Sequence, residues 1–154
     1  MGSEKNINLR KATPSDIPTL LIIERSVAGK NTYSPMLETD EWEEEFQKSD
    51  VYLIEHDGVV VGNISYKKKD ENNVYISGLA IAPRFQGLGI AKEAMIQILE
   101  KLKDITDITR IDLVTHPDNV IALKLYQSLG FIIESRKENF YGDGEPRLVL
   151  ALQK

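Results

Sequence analysis

The stretch Leu79-Ala80-Ile81-Ala82-Pro83-Arg84-Phe85-Gln86-Gly87-Leu88-Gly89-Ile90-Ala91-Lys92 decides the fold. Its opening residues are apolar and stop at a proline, as a buried strand does. Two glycines follow, and then a run to Lys103 in which Ala94, Met95, Ile98, Leu99 and Leu102 recur at helical spacing opposite Lys92, Glu93, Gln97 and Glu100. Strand, tight turn and helix are therefore predicted in succession. A helix N-terminus presents unpaired N–H groups and the positive end of its dipole, which suits an anion such as pyrophosphate. Gly87 and Gly89 would let the backbone approach such a group with no Cβ in the way. The same glycines would also make a tight turn that binds nothing. A dinucleotide-binding fingerprint fails, because Lys92 stands where a third glycine belongs, and no Walker A pattern is present.

Upstream, Ile7 to Lys11 alternates as a strand. Thr13-Pro14-Ser15-Asp16 then opens a helix with Ile17, Leu20, Leu21 and Ile23, ending near Gly29. Residues 30–38 read as a loop, and Thr39 and Asp40 open a short acidic helix holding Trp42 and Phe46. Val51 to His56 and Val59 to Lys67 flank Asp57-Gly58, a two-residue hairpin turn. Asp70 to Asn73 make a second turn before a strand from Val74 to Ala82. Downstream lie a strand from Arg110 to Thr115 and a helix from Val120 to Leu129 closed by Gly130. Two last strands, Phe131 to Glu138 and Arg147 to Leu152, surround Gly142-Asp143-Gly144. The order β-α-α-β-β-β-α-β-α-β-β puts an antiparallel meander before a β-α-β unit. It predicts an α/β (α+β) fold, a mixed sheet of about seven strands flanked by about four helices.

At 154 residues, without an internal repeat or a Pro/Gly/Ser-rich linker, residues 1–154 are expected to form a single domain. The hydrophobic (42%) and charged (28%) fractions are ordinary for a globular protein, which excludes low-complexity disorder. A net charge of −5 argues against nucleic acid as a partner, and Lys67-Lys68-Lys69 is too short a run to reverse that. The absence of cysteine removes disulfides, thiolate catalysis and cysteine-based zinc sites. His56 and His116 are far apart, so no metal site is expected. The start, Met1 to Asn6, has no apolar core of a secretory signal, and no run approaches the ~20 residues of a membrane span. A cytoplasmic protein without a membrane partner is expected.

Two motifs carry a resemblance that covers about residues 5–153. Gln86-x-x-Gly89-x-Ala91 resembles the acetyl-CoA motif Q/R-x-x-G-x-G/A of the GNAT N-acetyltransferase superfamily, and Leu79 to Pro83 resembles that family's strand ending. The segment Asn119 to Phe131 resembles its signature N-x-x-A-x-x-x-Y-x-x-x-G-F. The resemblance implies the GNAT fold and acetyl-CoA as co-substrate. It assigns Leu79, Ala80 and Ile81 to the pantetheine arm and thioester, and Gln86, Gly87, Leu88, Gly89, Ile90, Ala91 and Lys92 to the pyrophosphate. Asn119 is expected to bind the cofactor, to cap the following helix, or both. Ile121, Ala122, Leu125 and Leu129 share a helix face that reads as core. Tyr126 lies beside that face; alone it would be packing, and by the resemblance it is the general acid for the leaving thiolate.

The general base departs from the pattern. Relatives of the ribosomal-protein N-terminal acetyltransferase type, and histone-type members, carry a glutamate where this chain has Val114 and Tyr75. His116, Asp112 and Glu24 remain as candidates, and water relayed to backbone carbonyls is a further one. Asn139-Phe140-Tyr141-Gly142-Asp143-Gly144-Glu145 resembles the Y-Y-x-D-G-E hairpin of N-terminal peptide acetyltransferases, with Pro146-Arg147 replacing their Asp-Ala. It also reads as a plain surface hairpin. An α-amine is about a tenth neutral at pH 7, and a lysine-type amine is well under a thousandth neutral, so a site without a strong base leans towards peptide N-termini. The resemblance thus implies acetyl transfer to a primary amine. A small-molecule amine acceptor, or a non-catalytic acetyl-CoA-binding module, is the alternative. Exposed strand edges make a homodimer a partner to test for.

Overall fold

The computed structural model describes residues 6–30, 32–105 and 107–153. The N-terminal segment Met1 to Lys5, part of the stretch read for a secretory signal, lies outside them. Among the described residues seven strands form one sheet: β1 (Ile7–Lys11), β2 (Asp50–His56), β3 (Val59–Lys68), β4 (Asn73–Ile81), β5 (Arg110–Thr115), β6 (Ile132–Lys137) and β7 (Arg147–Gln153). Four helices accompany them: α1 (Ile17–Ser26), α2 (Thr39–Lys48), α3 (Ile90–Lys103) and α4 (Val120–Ser128). The spatial order is β1-β2-β3-β4-β5-β7-β6, with only the β4–β5 pair parallel.

Local chemistry explains the elements. Asp57 and Gly58 both take positive φ (52° and 78°), as a tight β2–β3 hairpin requires. Asp16 Oδ2 accepts the Thr13 N–H at 2.9 Å, bracing the single 3-10 turn that leads into α1. The acidic α2 starts at Thr39, where its sequence places it. Glu41 reaches back to the N–H groups of Leu37 and Glu38, both at 3.1 Å, which makes Glu38 the cap. Gly89 caps α3 at φ 81°.

Alternation along β2 divides the core. Leu53 packs with α1 and α2 through Leu20, Leu21 and Trp42, while Tyr52 and Ile54 face the other side. There α3 buries Ile90, Ala94, Met95, Ile98 and Leu102. Each such side chain of valine size or larger contributes roughly 1.5–3 kcal/mol when removed from water. The α4 helix docks on this second face through Tyr126 and the half-buried Ala122, Leu125 and Leu129. Ile121 does not join them. It is 83% exposed and lines the cleft described below instead of the core.

Candidate functional site

The site begins where two strands part. β4 and β5 pair only from Asn73 to Tyr75 against Arg110 to Asp112, and beyond that point neither bonds the other. A bulge bends β4 here: Gly78 faces Ser65 and Ile76 faces Tyr66, which leaves Ser77 unpaired in the ladder. Ser77 is tied instead through its hydroxyl, to Glu45 Oε2 of α2 at 2.8 Å and to Ser65 Oγ at 2.9 Å. The free edge of β4 from Ile76 to Ile81 and the end of β5 enclose a cleft of about 470 Å³, within the range of small-molecule sites.

One end of the cleft is the glycine turn. Gly87 and Gly89 both adopt φ 81°, and open space surrounds the missing Cβ of Gly87. Among the described residues, no protein group accepts from the backbone N–H groups of Gly87 to Lys92, at the N-terminus of a 14-residue helix. Six successive free donors at the positive end of a helix dipole fit a pyrophosphate. Gln86 donates its side-chain amide to the Ile81 carbonyl at 2.8 Å, fastening the turn to the strand. Asn119 caps α4, accepting the Ala122 N–H at 3.2 Å, and its amide nitrogen has no acceptor among the described residues.

Tyr126 is part of the cleft wall. It is the buried residue of α4, edge-on to Phe131 at 6.1 Å, and its hydroxyl meets no hydrogen-bond partner among the described residues. Burial raises its pKa to about 12, with Tyr141 adding to the effect. Every predicted site residue lines the cleft except Leu88, whose side chain is turned to solvent.

The far end was scattered in the sequence. Tyr33, Tyr75, Tyr141 and Arg147 line it. The Tyr75 and Tyr141 hydroxyls lie 3.4 Å apart, and burial raises the Tyr75 pKa, with Tyr141 contributing. Tyr33 donates to Glu24 at 3.0 and 3.1 Å. The Glu24 carboxylate, 1% exposed, also takes the Met36 N–H at 3.0 Å and the Asn63 amide at 3.1 Å. Burial raises its pKa against these bonds.

The other base candidates have structural partners. His116 accepts the Asp118 N–H at Nδ1 (3.0 Å), which places its proton on Nε2, facing Glu145 Oε1 at 2.7 Å. Asp112 Oδ2 pairs with Lys69 at 2.9 Å and Arg110 at 3.3 Å, while its buried Oδ1 has no partner. Val114 lines the cleft, and no described carboxylate does. Tyr141 was within reach of the sequence, inside the hairpin motif. Tyr33 and Arg147 carried no local signal, because their positions depend on distant contacts. The described residues contain no cluster able to hold a metal ion and no helix long and apolar enough to cross a membrane.

The sequence is similar to known acetyltransferases. It is 30% identical over 102 residues to the [ribosomal protein bS18]-alanine N-acetyltransferase of Haemophilus ducreyi, covering 64% of this chain and 68% of that one. To the L-2,4-diaminobutyric acid acetyltransferase of Vibrio parahaemolyticus it is 33% identical over 86 residues, 54% of this chain and 46% of that protein. The chain thus spans less than half of that relative. In three dimensions it resembles the ribosomal-protein-S18-alanine N-acetyltransferase of Escherichia coli, with a TM-score of 0.82 and 18% identity over 96% of this chain and 94% of that one. The sequence profile of the acetyltransferase (GNAT) family matches residues 20–131, and with the splayed strands and the glycine turn it makes this chain a member of that family.

Proposed function

We propose that residues 1–154 are one N-acetyltransferase domain that moves acetyl from acetyl-CoA to a primary amine. The observation that carries this reading is the cleft itself, with free N–H donors from Gly87 to Lys92 at one end and Tyr126, its hydroxyl unpartnered among the described residues, in its wall. Acetyl-CoA would supply an activated thioester. The turn would hold its pyrophosphate, and the unpaired edge of β4 at Leu79 to Ile81 would pair with its pantetheine arm and orient the carbonyl. Preorganised backbone donors of this kind contribute several kcal/mol as charge develops on the oxygen. Tyr126 would hydrogen-bond the departing sulfur. With a pKa of about 12 it is a weak acid beside a cysteine-type thiol of about 8.5, so outright transfer to a thiolate is uphill by about 3.5 powers of ten. The proton it gives must be matched by one leaving the amine. Tyr33, already donating to Glu24, offers a hydrogen-bonded path from the cleft to a carboxylate whose proton affinity burial raises.

The absence of a carboxylate from the described wall of the cleft favours a second reading, an acetyl-CoA-binding module without turnover. Release of free thiol from acetyl-CoA, measured with and without a panel of amino acids, small amines and peptides, separates the two. Acceptor-dependent thiol release is expected. Tight cofactor binding with no release on any acceptor would leave the module.

A further inference from the structure

The charges around the cleft are one-sided. Its described lining holds three charged side chains, Lys30, Lys92 and Arg147, and all are cations, although the chain carries a net charge of −5. Lys92 belongs to the glycine turn. Arg147 belongs to the other end, beside Tyr141, and is 2% exposed. A guanidinium taken this far from water requires partners for its charge and its five N–H groups. It has two: the Pro146 carbonyl at 3.0 Å through Nη1 and Asp143 Oδ2 at 3.2 Å through Nη2. The Asp143 side chain is itself 37% exposed and shared, since its other oxygen accepts the Glu145 N–H at 2.9 Å. The Arg147 guanidinium also lies over the Tyr141 ring at 5.0 Å. Its Nε and the second hydrogen of each Nη have no acceptor among the described residues. Tyr141 and Arg147 share the wall of the cleft with Tyr126, the proposed acid.

We propose that the acceptor carries a carboxylate beside the amine it presents, and that Arg147 receives this carboxylate. The proposal rests on the acetyl-transfer reading for the role of the amine. A guanidinium fork matches a carboxylate bidentately, and its planar geometry fixes the amine's approach. A cation at this end opposes polyamines, whose second charge would have no anion in the described wall. The carboxylate has two chemical sources: the α-carboxylate of a free amino acid, or an acidic side chain near a peptide's N-terminus.

The test uses acid and amide pairs on the full chain. L-alanine against L-alaninamide probes the first source, and the peptides Met-Asp-Ala-amide against Met-Asn-Ala-amide probe the second. Binding to the CoA-loaded protein is read by calorimetry, and turnover by thiol release. In the wild type at least one pair should separate by about 10- to 100-fold in favour of the acid, as charge-assisted hydrogen bonds to a buried donor do. The pair that separates identifies the source. Arg147→Gln should bring that ratio to within about twofold, with Arg147→Lys between the two. The ratio within the wild type stands even if a variant fails to fold. Equal handling of acid and amide in both pairs, or a ratio that survives Arg147→Gln, overturns the proposal. Thiol release that ignores the pairs would remove the carboxylate site and keep acetyl transfer. Acid-selective binding without thiol release would do the reverse.

Discussion

Tyr126 shows how burial sets both the strength and the limit of a proposed acid. Its ring packs against Phe131, so Tyr126→Phe keeps the apolar contact and removes a hydroxyl without a protein partner among the described residues. Stability should move by less than about 0.5 kcal/mol. Under the proposed role kcat should fall by about 10²-fold, the lower end for a positioned acid, because a phenol near pKa 12 gives its proton reluctantly. Acetyl-CoA affinity should hold, since the loss belongs to the transition state. The raised pKa also fixes the pH profile. An acid must be protonated to donate, and at pH 10 a group of pKa about 12 has lost only about 1% of its protons. With an α-amine acceptor, kcat/KM should therefore rise through about pH 8 as the amine deprotonates and show no descending limb below pH 10. Full kcat in Tyr126→Phe would reduce Tyr126 to packing. A descending limb near pH 9 that vanishes in Tyr126→Phe would contradict the buried, protonated phenol.

The strand, turn and helix from β4 to α3 were legible because everything that specifies them is consecutive: apolar strand, proline, two positive-φ glycines, amphipathic run. The splay that opens the cleft was not. It depends on a bulge at Ser77 held by Glu45 of α2 and Ser65 of β3, partners 32 and 12 residues away. The face of α4 was misread at Ile121 for a related reason: periodicity gives the stripe, but not which of its residues meet the core and which the cleft. Two substitutions test this segment. Gly89→Glu puts a carboxylate at the row of free N–H donors and should weaken acetyl-CoA binding at least tenfold. The left-handed backbone there adds a folding cost of about 1–2 kcal/mol. Gly89→Asn, neutral and tolerant of that conformation, should retain most of the affinity. Equal affinity in Gly89→Glu and wild type would remove the pyrophosphate assignment. On β3, a Cβ at Gly62 would overlap the Ala80 carbonyl oxygen and approach Ile81 Cδ1 at 2.9 Å. Gly62→Ala should therefore cost roughly 1–3 kcal/mol in denaturant unfolding and weaken cofactor binding through the displaced β4 edge. A variant as stable as wild type, with unchanged affinity, would show that β4 can yield there freely.

Across the whole molecule, the acceptor end of the cleft is assembled from three segments that meet only in the fold. The α1–α2 loop brings Tyr33 and is fastened by Glu24, β4 brings Tyr75, and the β6–β7 hairpin brings Tyr141, with Arg147 at the start of β7. Local pattern could not gather them: the sequence pointed to the hairpin and, separately, to Tyr75 as the place of a missing glutamate. Besides Arg147 and the β6–β7 pairing, a buried histidine holds that hairpin. His116, 2% exposed, sits at the end of β5 with both ring nitrogens committed, Nδ1 to the Asp118 N–H and Nε2 to Glu145. Replacing Glu145 with alanine leaves the Nε2–H without its acceptor, a loss of about 1–3 kcal/mol for a buried donor. Glu145 is one-third exposed, so water can partly replace it and the lower end is expected. Stability is the smaller effect. The hairpin carries Tyr141 towards Tyr75, and freeing it should raise the acceptor KM severalfold while leaving acetyl-CoA affinity unchanged, because the glycine turn lies at the opposite end of the cleft. Amide exchange should quicken over residues 139–146 and stay constant in β4 and α3. Glu145→Gln, which retains an acceptor oxygen, should recover most of the acceptor affinity. If Glu145→Ala exchanges its hairpin amides no faster than wild type and binds acceptor equally well, the hairpin is held by Arg147 and the β6–β7 pairing alone. The His116 contact would then have no part in the acceptor site.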